Sequence, residues 1–403
     1  MAYDFSSVPN REGTNSLKWD NIVPVPGAPQ AIPLWVADMD FAAPPAVQKA
    51  LARRVSHGIY GYTNLPQAYL EEVASWNRRR YGRTWISGDF LAAPSVLHGM
   101  SMAIRAFTAP GDKILNFPPV YYPFYKVVRL NDRQIVDVPL VLRGRWEMDF
   151  EAIAACLESA RRDRAPVKAV LVSAPQNPTG RVWTRDELSQ LGELARAYDL
   201  LILSDEIHAD LVLKGHRHLS PLDLPDLADR TIVFAGPNKT FNLAGLPISH
   251  IVTLDQKLRN RMKRAVEADF YDQPNVLSLT AAWAAYREGE PWLEELLAVI
   301  EANKAILDVF LERLNREWDL EPRLTSAPLE ATYLAWVDVT ALARRGNFSD
   351  DKDLGLFLEK VARVKMTTGS TFQTGGENHL RFNLATPKAL LDEALDRIHR
   401  ALA

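Results

Sequence analysis

Apolar positions in the first three quarters of the chain follow two different spacings, and their alternation predicts an α/β layer architecture. Short runs that are apolar nearly throughout predict strands covered on both faces of a parallel sheet, at residues 113–117, 169–173, 200–204, 231–235 and 249–253. Helical spacing predicts helices between them, at residues 46–57, 69–80, 96–108 and 185–198. The pattern therefore predicts a large domain with a doubly wound, mostly parallel sheet.

The pattern changes after Glu290 and Pro291. A helix with apolar residues at helical spacing is predicted to continue to about Trp318, and a smaller α+β region follows it. Strands are predicted there at 333–337 and 379–384, and helices at 354–361 and 389–401. We expect three parts: an N-terminal segment (1–45) packing on the small domain, the large domain (46–290), and a linking helix with the small domain (291–403).

Composition narrows the possible partners. The 403 residues carry a formal net charge of -3, which gives no electrostatic reason to expect nucleic acid or an anionic membrane surface. We expect no signal peptide, because residues 1–20 lack an apolar h-region, and no membrane span, because no apolar run approaches the roughly 18 residues that a span needs. Cys156 is the only cysteine, so an intramolecular disulfide and a cysteine-based metal site are excluded. These features predict a cytoplasmic protein that acts on a small molecule and needs no metal.

Three polar groups follow three of the predicted strands. Asn177 comes after strand 169–173, Asp205 directly after strand 200–204, and Lys239 after strand 231–235. Ligands of open α/β sheets bind outside the carboxyl ends of the strands, so an amide, a carboxylate and an amine are expected at one edge.

This set of groups matches the needs of pyridoxal 5′-phosphate (PLP). Lys239 can hold its aldehyde as a Schiff base, Asp205 can keep the ring nitrogen protonated, and Asn177 can donate to the ring phenolate. Each group alone has an ordinary interpretation, as a solvated lysine, a helix cap or a turn. Their combination at successive strand ends favours the cofactor.

The remaining parts of such a site are also present. Ser95, Val96 and Leu97 open a predicted helix whose backbone N–H groups can bind a phosphate, although such a helix start is a weak motif alone. Tyr121 and Tyr122 follow strand 113–117, and by spacing either can stack on the cofactor ring or serve as a core residue.

Arg381 lies within an apolar strand pattern and therefore needs an anionic partner. A planar guanidinium is the natural bidentate partner of a substrate α-carboxylate, and a salt bridge within the protein is the ordinary alternative.

With these residues in view, the chain resembles the fold-type I PLP enzymes. Within them it is similar to the class-II aminotransferase branch typified by the MalY/PatB cystathionine β-lyases, which are carbon–sulfur lyases of aspartate aminotransferase-like fold. The most specific matching stretches are residues 33–41, 176–183, 204–208, 239–242 and 331–336. The resemblance implies that Lys239 is the Schiff-base lysine, Asp205 the pyridinium partner, Asn177 the phenolate partner and Arg381 the carboxylate clamp.

The resemblance also assigns residues that spacing leaves open. It implies that Tyr121, rather than its neighbour, stacks on the cofactor and takes part in catalysis. Tyr62 matches a tyrosine that reaches the phosphate of a neighbouring subunit, which implies a homodimer. Ala37 falls where the N-terminal segment passes the substrate carboxylate. His208 is expected beside the cofactor, with no role assigned to it.

Two departures from the family pattern bear on the reaction. Asn238 replaces a serine that commonly helps to hold the phosphate, and its longer amide is expected to donate there instead. Pro247 and Ile248 occupy the place where many aminotransferases carry an arginine, as in the lyase branch. We therefore expect a carbon–sulfur β-lyase acting on cysteine S-conjugates. An aminotransferase, a specialised PLP enzyme of secondary metabolism and a regulatory binding protein remain as alternatives.

Overall fold

The computed structural model describes residues 2–8, 10–271 and 273–403. Its centre is a seven-stranded sheet formed within those ranges. The strands lie in the spatial order Phe90–Ala93, Ser249–Val252, Thr231–Ala235, Leu201–Asp205, Val167–Ser173, Lys113–Asn116 and Gln134–Asp137. The last five are mutually parallel, whereas Ser249–Val252 is antiparallel to both of its neighbours. The doubly wound, mostly parallel sheet is confirmed.

Both faces of the sheet are buried, which explains why its strands are apolar nearly throughout. Ile202 belongs to a core cluster on one face and its neighbour Leu203 to a cluster on the other, and both are fully buried. Helices cover these faces and close the domain: Pro45–His57, Gln67–Tyr81, Val96–Phe107, Pro123–Arg129, Phe150–Arg162, Arg185–Ala197, Gln256–Ala268 and Val276–Glu288. Thr184 and Glu187 form a capping box that starts one of them.

The long helix Glu290–Glu317 leads into a second, four-stranded antiparallel sheet. Its strands lie in the order Thr325–Ser326, Leu334–Asp338, His379–Asn383 and Thr367–Thr368. The helices of this region are Thr340–Arg345, Asp351–Phe357 and Lys388–Leu402.

The helix predicted at 354–361 begins earlier and changes type. Asp350 accepts hydrogen bonds from the N–H groups of Lys352 and Asp353, which fixes the start at Asp351. After Phe357 the segment Leu358–Ala362 is a π-helix.

The N-terminal segment is attached by a strand pair and a buried charge cluster. Ile32–Pro33 pairs in parallel with Val364–Lys365. Near the start, the short helix Leu17–Asp20 carries Lys18, which is fully buried and donates to Asp40 at 2.7 Å. A hairpin of Val141–Leu142 and Trp146–Glu147 completes the strands of the described chain. No helix in the described ranges is long and apolar enough to cross a membrane.

Candidate active site

The three polar groups predicted at strand ends do meet at one edge of the sheet. Asp205 is the last residue of its strand, and Asn177 and Lys239 lie in the loops after the strands on either side of it. All three line one cavity of about 950 Å³ between the large sheet, the N-terminal segment and the second sheet. The carboxyl ends of parallel strands place these loops side by side, as in other open α/β sheets.

Lys239 is held by the N-terminal segment. Its Nζ donates a hydrogen bond of 2.5 Å to the carbonyl oxygen of Ala37, 202 residues away in sequence. The hydroxyl of Tyr333, which is fully buried, donates to the same oxygen at 2.9 Å. Burial and, less strongly, the positive charge of Arg381 lower the pKa of Lys239 to about 8. A substantial fraction of this amine is therefore neutral at slightly alkaline pH.

Asp205 is a buried carboxylate with few partners. The residue is only 5% exposed, and its Oδ1 accepts one hydrogen bond of 3.1 Å from the N–H of Ile207. Burial raises the pKa of Asp205 to about 7. Within the described ranges no side chain donates to this carboxylate, so the site favours a cationic partner from a ligand.

Arg381 is a buried guanidinium without a carboxylate partner among the described residues. Nη1 donates to Oδ1 of Asn177 at 2.9 Å and Nη2 donates to the carbonyl oxygen of Trp35 at 2.8 Å. Its buried Nε has no hydrogen-bond partner in the described chain, and burial lowers the pKa of Arg381 to about 10. Such a group is stabilised by a bound anion.

The start of the helix Val96–Phe107 lines the same cavity. The Ser95 hydroxyl accepts from the N–H of His98 at 3.2 Å and so caps the helix. Among the hydrogen bonds of the described residues, none uses the N–H groups of Val96 and Leu97. Helix starts of this kind are suited to phosphate.

Two adjacent tyrosines face the cavity, and they differ in burial. Tyr121 is half-buried, and burial raises its pKa to about 12, so its hydroxyl is protonated at neutral pH. Tyr122 is 44% exposed and lies closer to solvent. The more enclosed ring of Tyr121 is the better surface for stacking.

His208 is buried in the wall of the cavity. Its Nδ1 has no hydrogen-bond partner among the described residues, and its ring lies edge-on to Tyr333 with centroids 6.0 Å apart. Burial and the charges of Lys239 and Arg381 lower the pKa of His208 well below its ordinary value. It is therefore a neutral imidazole whose buried Nδ1 is unpaired in the described chain.

Asn238 lines the cavity, but its amide is already engaged. The side-chain nitrogen donates to the carbonyl oxygens of Leu243 at 2.8 Å and Leu246 at 3.1 Å. Both amide protons are used in holding the loop that follows Lys239. These protons point into the protein loop rather than into the cavity, and a contact between Asn238 and a phosphate stays a prediction.

Tyr62 is separate from these groups in the single chain. It is 97% exposed, lies between the helices Pro45–His57 and Gln67–Tyr81, and does not line the cavity.

The structure adds residues for which sequence reasoning gave no role. Tyr333 and Trp35 both lie in the stretches that match the family, yet Trp35 acts through its carbonyl oxygen and Tyr333 through a hydrogen bond to the carbonyl of Ala37. A backbone carbonyl is present at every residue and is not marked by residue type, so only the position of Tyr333 at the start of a predicted strand carried a signal.

The fold and this arrangement of groups together define a known class. The chain belongs to the class I and II aminotransferase family, which matches residues 29–398. Its fold is the aspartate aminotransferase-like fold, type I of the PLP-dependent enzymes.

Curated relatives and solved structures share nearly the full length of the chain. Cystathionine beta-lyase PatB of Bacillus subtilis (strain 168) is 37% identical over 402 residues, covering 99% of this chain and 100% of that protein. A PLP-bound putative aminotransferase from Clostridium difficile 630 is 35% identical with a TM-score of 0.90, covering 100% of both chains. Cystalysin from Treponema denticola, which contains a pyridoxal 5′-phosphate cofactor, is 32% identical with a TM-score of 0.90, covering 100% of this chain and 99% of that one.

Proposed function

We propose that this protein is a PLP-dependent carbon–sulfur β-lyase that converts cysteine S-conjugates to a thiol, pyruvate and ammonia. The observation that carries the proposal is one cavity in which Asp205 and Arg381, both buried and without ionic partners in the described chain, accompany the amine of Lys239. Full-length similarity to a cystathionine β-lyase supports the lyase outcome.

The residues of the cavity fit PLP. Asp205 needs a cationic partner, which a protonated ring nitrogen provides, and the free N–H groups of Val96 and Leu97 can hold the phosphate. Asn177 can bind the ring oxygen, and Tyr121 offers a face for the ring. We assign Lys239 as the residue that binds the aldehyde covalently.

Arg381 and its neighbours orient an amino-acid substrate. The planar guanidinium, whose Nε is unpartnered in the described chain, suits the α-carboxylate of the substrate. Ala37 of the N-terminal segment lines the same cavity. PLP, when bound, supplies an electron sink that stabilises negative charge at the substrate Cα. Lys239 in its neutral form removes the Cα proton, and the carbonyl of Ala37 is placed to hold the resulting ammonium.

The balance of the reaction then follows from the bonds that break. The Cα proton goes to Lys239, and the Cβ–S bond breaks with its electron pair leaving on sulfur as a thiolate. The remaining enamine takes up one water and ends as pyruvate and ammonia. Neutral His208, whose Nδ1 has no partner among the described residues, is placed to form a hydrogen bond with the bound molecules.

An aminotransferase is the second candidate, favoured by the naming of the similar Clostridium difficile structure. The groups that bind the amino acid serve both reactions. Pro247 lines the cavity where many aminotransferases have an arginine, so this loop brings no guanidinium to the site, and the lyase remains our proposal.

Product analysis separates the two reactions. The purified, PLP-loaded protein is incubated with L-cystathionine or S-methyl-L-cysteine while pyruvate and free thiol are followed with time. We expect equal amounts of pyruvate and thiol. A keto acid that retains the sulfur substituent, formed together with pyridoxamine phosphate, would show the aminotransferase instead.

The pKa of Lys239 predicts how cofactor capture depends on pH. The neutral amine is the reactive form, so the rate at which the apoprotein reacts with PLP is expected to rise with pH and level off above about 8. Stopped-flow absorbance at a series of pH values measures this rate. Nα-acetyl-lysine, whose amine has an ordinary pKa near about 10.4, is the control and should still be accelerating there. Identical pH profiles for the apoprotein and Nα-acetyl-lysine would contradict the conclusion that burial lowers the pKa of Lys239.

We also propose a homodimer in the cytoplasm. The fully exposed ring of Tyr62, together with exposed Ile59 and Tyr60 beside it, supports a subunit contact at this segment. A single cysteine fits a reducing compartment. The proposed division of the chain is an N-terminal segment (1–45), a PLP-binding domain (46–290) and a small domain with its linking helix (291–403).

A further inference from the structure

The cavity around Lys239 extends well beyond the groups that bind the cofactor and the amino acid. Its inner wall contains Asp205 and Arg381, which are 5% and 4% exposed. Its outer wall contains Leu17, Leu356 and other residues that are open to solvent. The cavity therefore has an enclosed polar end and an open end.

Exposed apolar side chains line the open end. Leu17, in the short helix Leu17–Asp20, is 62% exposed, and Leu356, in the helix Asp351–Phe357, is 46% exposed. Tyr122 adds an aromatic ring that is 44% exposed. These side chains come from three separate parts of the chain and line the same cavity, and exposed apolar groups that line one cavity indicate a binding surface.

Most charged groups at this end are already neutralised by the protein. Lys365 forms an ion pair with Glu359 at 3.1 Å and lies 4.7 Å from the centre of the Trp35 ring. Arg11 pairs with Asp38 at 2.9 Å and with Asp40 at 3.1 Å.

One exposed cation lines the same region. The ammonium of Lys352 has no ion-pair partner within the described parts of the chain, and it is the group that would meet a charged substrate tail. The leucines thus favour a substrate with an apolar substituent on sulfur, whereas Lys352 favours one with an anionic substituent.

We propose that the open end of the cavity binds the substituent on sulfur and that it selects apolar, alkyl or aryl, S-conjugates of cysteine. This inference rests on the proposed lyase function and adds its substrate class. With the α-carboxylate at Arg381, a substituent on sulfur extends away from the enclosed end, and Leu17 and Leu356 remove its surface from water. A zwitterionic substituent has to be desolvated against the same leucines.

The test compares three substrates: S-benzyl-L-cysteine, S-methyl-L-cysteine and L-cystathionine. For the PLP-loaded protein we expect kcat/KM for pyruvate release to be highest with the benzyl compound. In Leu17→Ala and Leu356→Ala, the ratio of kcat/KM for the benzyl over the methyl compound should fall about tenfold, a typical effect of lost apolar contact in a substrate pocket. In Lys352→Ala the same ratio should be unchanged.

Leu130→Ala is the matched control, because Leu130 is a 72% exposed leucine that lies outside this cavity. It should leave the ratio unchanged, and the visible absorbance of bound PLP should be the same in all variants, which shows that each one folds. The inference would be overturned if the protein preferred cystathionine, if Lys352→Ala removed that preference and if the two leucine variants kept the benzyl-to-methyl ratio of kcat/KM. The lyase assignment would stand in that case. No pyruvate from any of the three compounds would overturn both.

Discussion

Replacement of Lys239 by alanine is expected to lower kcat/KM for pyruvate release by at least about a thousandfold, because both the covalent attachment point and the proton acceptor are removed. The amine that the carbonyl of Ala37 holds in the present structure would be absent. The yellow colour of the protein treated with PLP should disappear as well. The measurements are an absorbance spectrum after dialysis and a pyruvate assay.

Lys168→Ala is the control for this variant. Lys168 is an exposed lysine in a strand of the same sheet and does not line the cavity. It should keep both the colour and the activity. A Lys239→Ala protein that remains yellow after dialysis and still releases pyruvate would refute the assignment of this lysine.

Replacement of Asp205 by asparagine is expected to lower kcat by about a hundred- to a thousandfold. The amide has nearly the same shape as the carboxylate but cannot stabilise a protonated ring nitrogen, so the electron sink is weakened. Burial already raises the pKa of Asp205 to about 7, which shows how much this carboxylate depends on a cationic partner. The pyruvate assay at saturating substrate measures kcat.

Two companions of this variant separate charge from structure. Asp205→Glu keeps the charge and should recover part of the activity, while Asp226→Asn makes the same change at an exposed position and should have no effect. Similar colour in all three proteins would show that the cofactor is present. If Asp205→Asn kept full kcat, the carboxylate would have only a structural role.

The sequence predicted the central sheet because its physical signal is local. The strand Thr231–Ala235 has the bounds that its apolar run predicts, and the helix Arg185–Ala197 starts at its capping box. The antiparallel direction of Ser249–Val252 had no such signal. An apolar run shows that both faces are covered, whereas strand direction depends on a connection whose path is set by packing.

The candidate site likewise contains groups that the sequence predicts and groups that it does not. Lys239, Asp205 and Asn177 could be found because each follows a strand whose position the sequence predicts. The partner of Lys239 could not, since a carbonyl oxygen is present at every residue. The direction of the Asn238 amide was also beyond prediction, because two loop carbonyls compete with a ligand for its protons.

The bond between Lys239 and Ala37 joins residues 202 positions apart, and the bond between Arg381 and Trp35 joins residues 346 positions apart. Contacts of such large sequence separation form late, because the loops they close are entropically unfavourable until the intervening structure exists. The sheet edge with Asp205 and Lys239 can thus assemble before the N-terminal segment and the last strands complete the cavity. Both bonds end on the N-terminal segment, so a change that loosens this segment would release the amine of Lys239 and one nitrogen of Arg381 together.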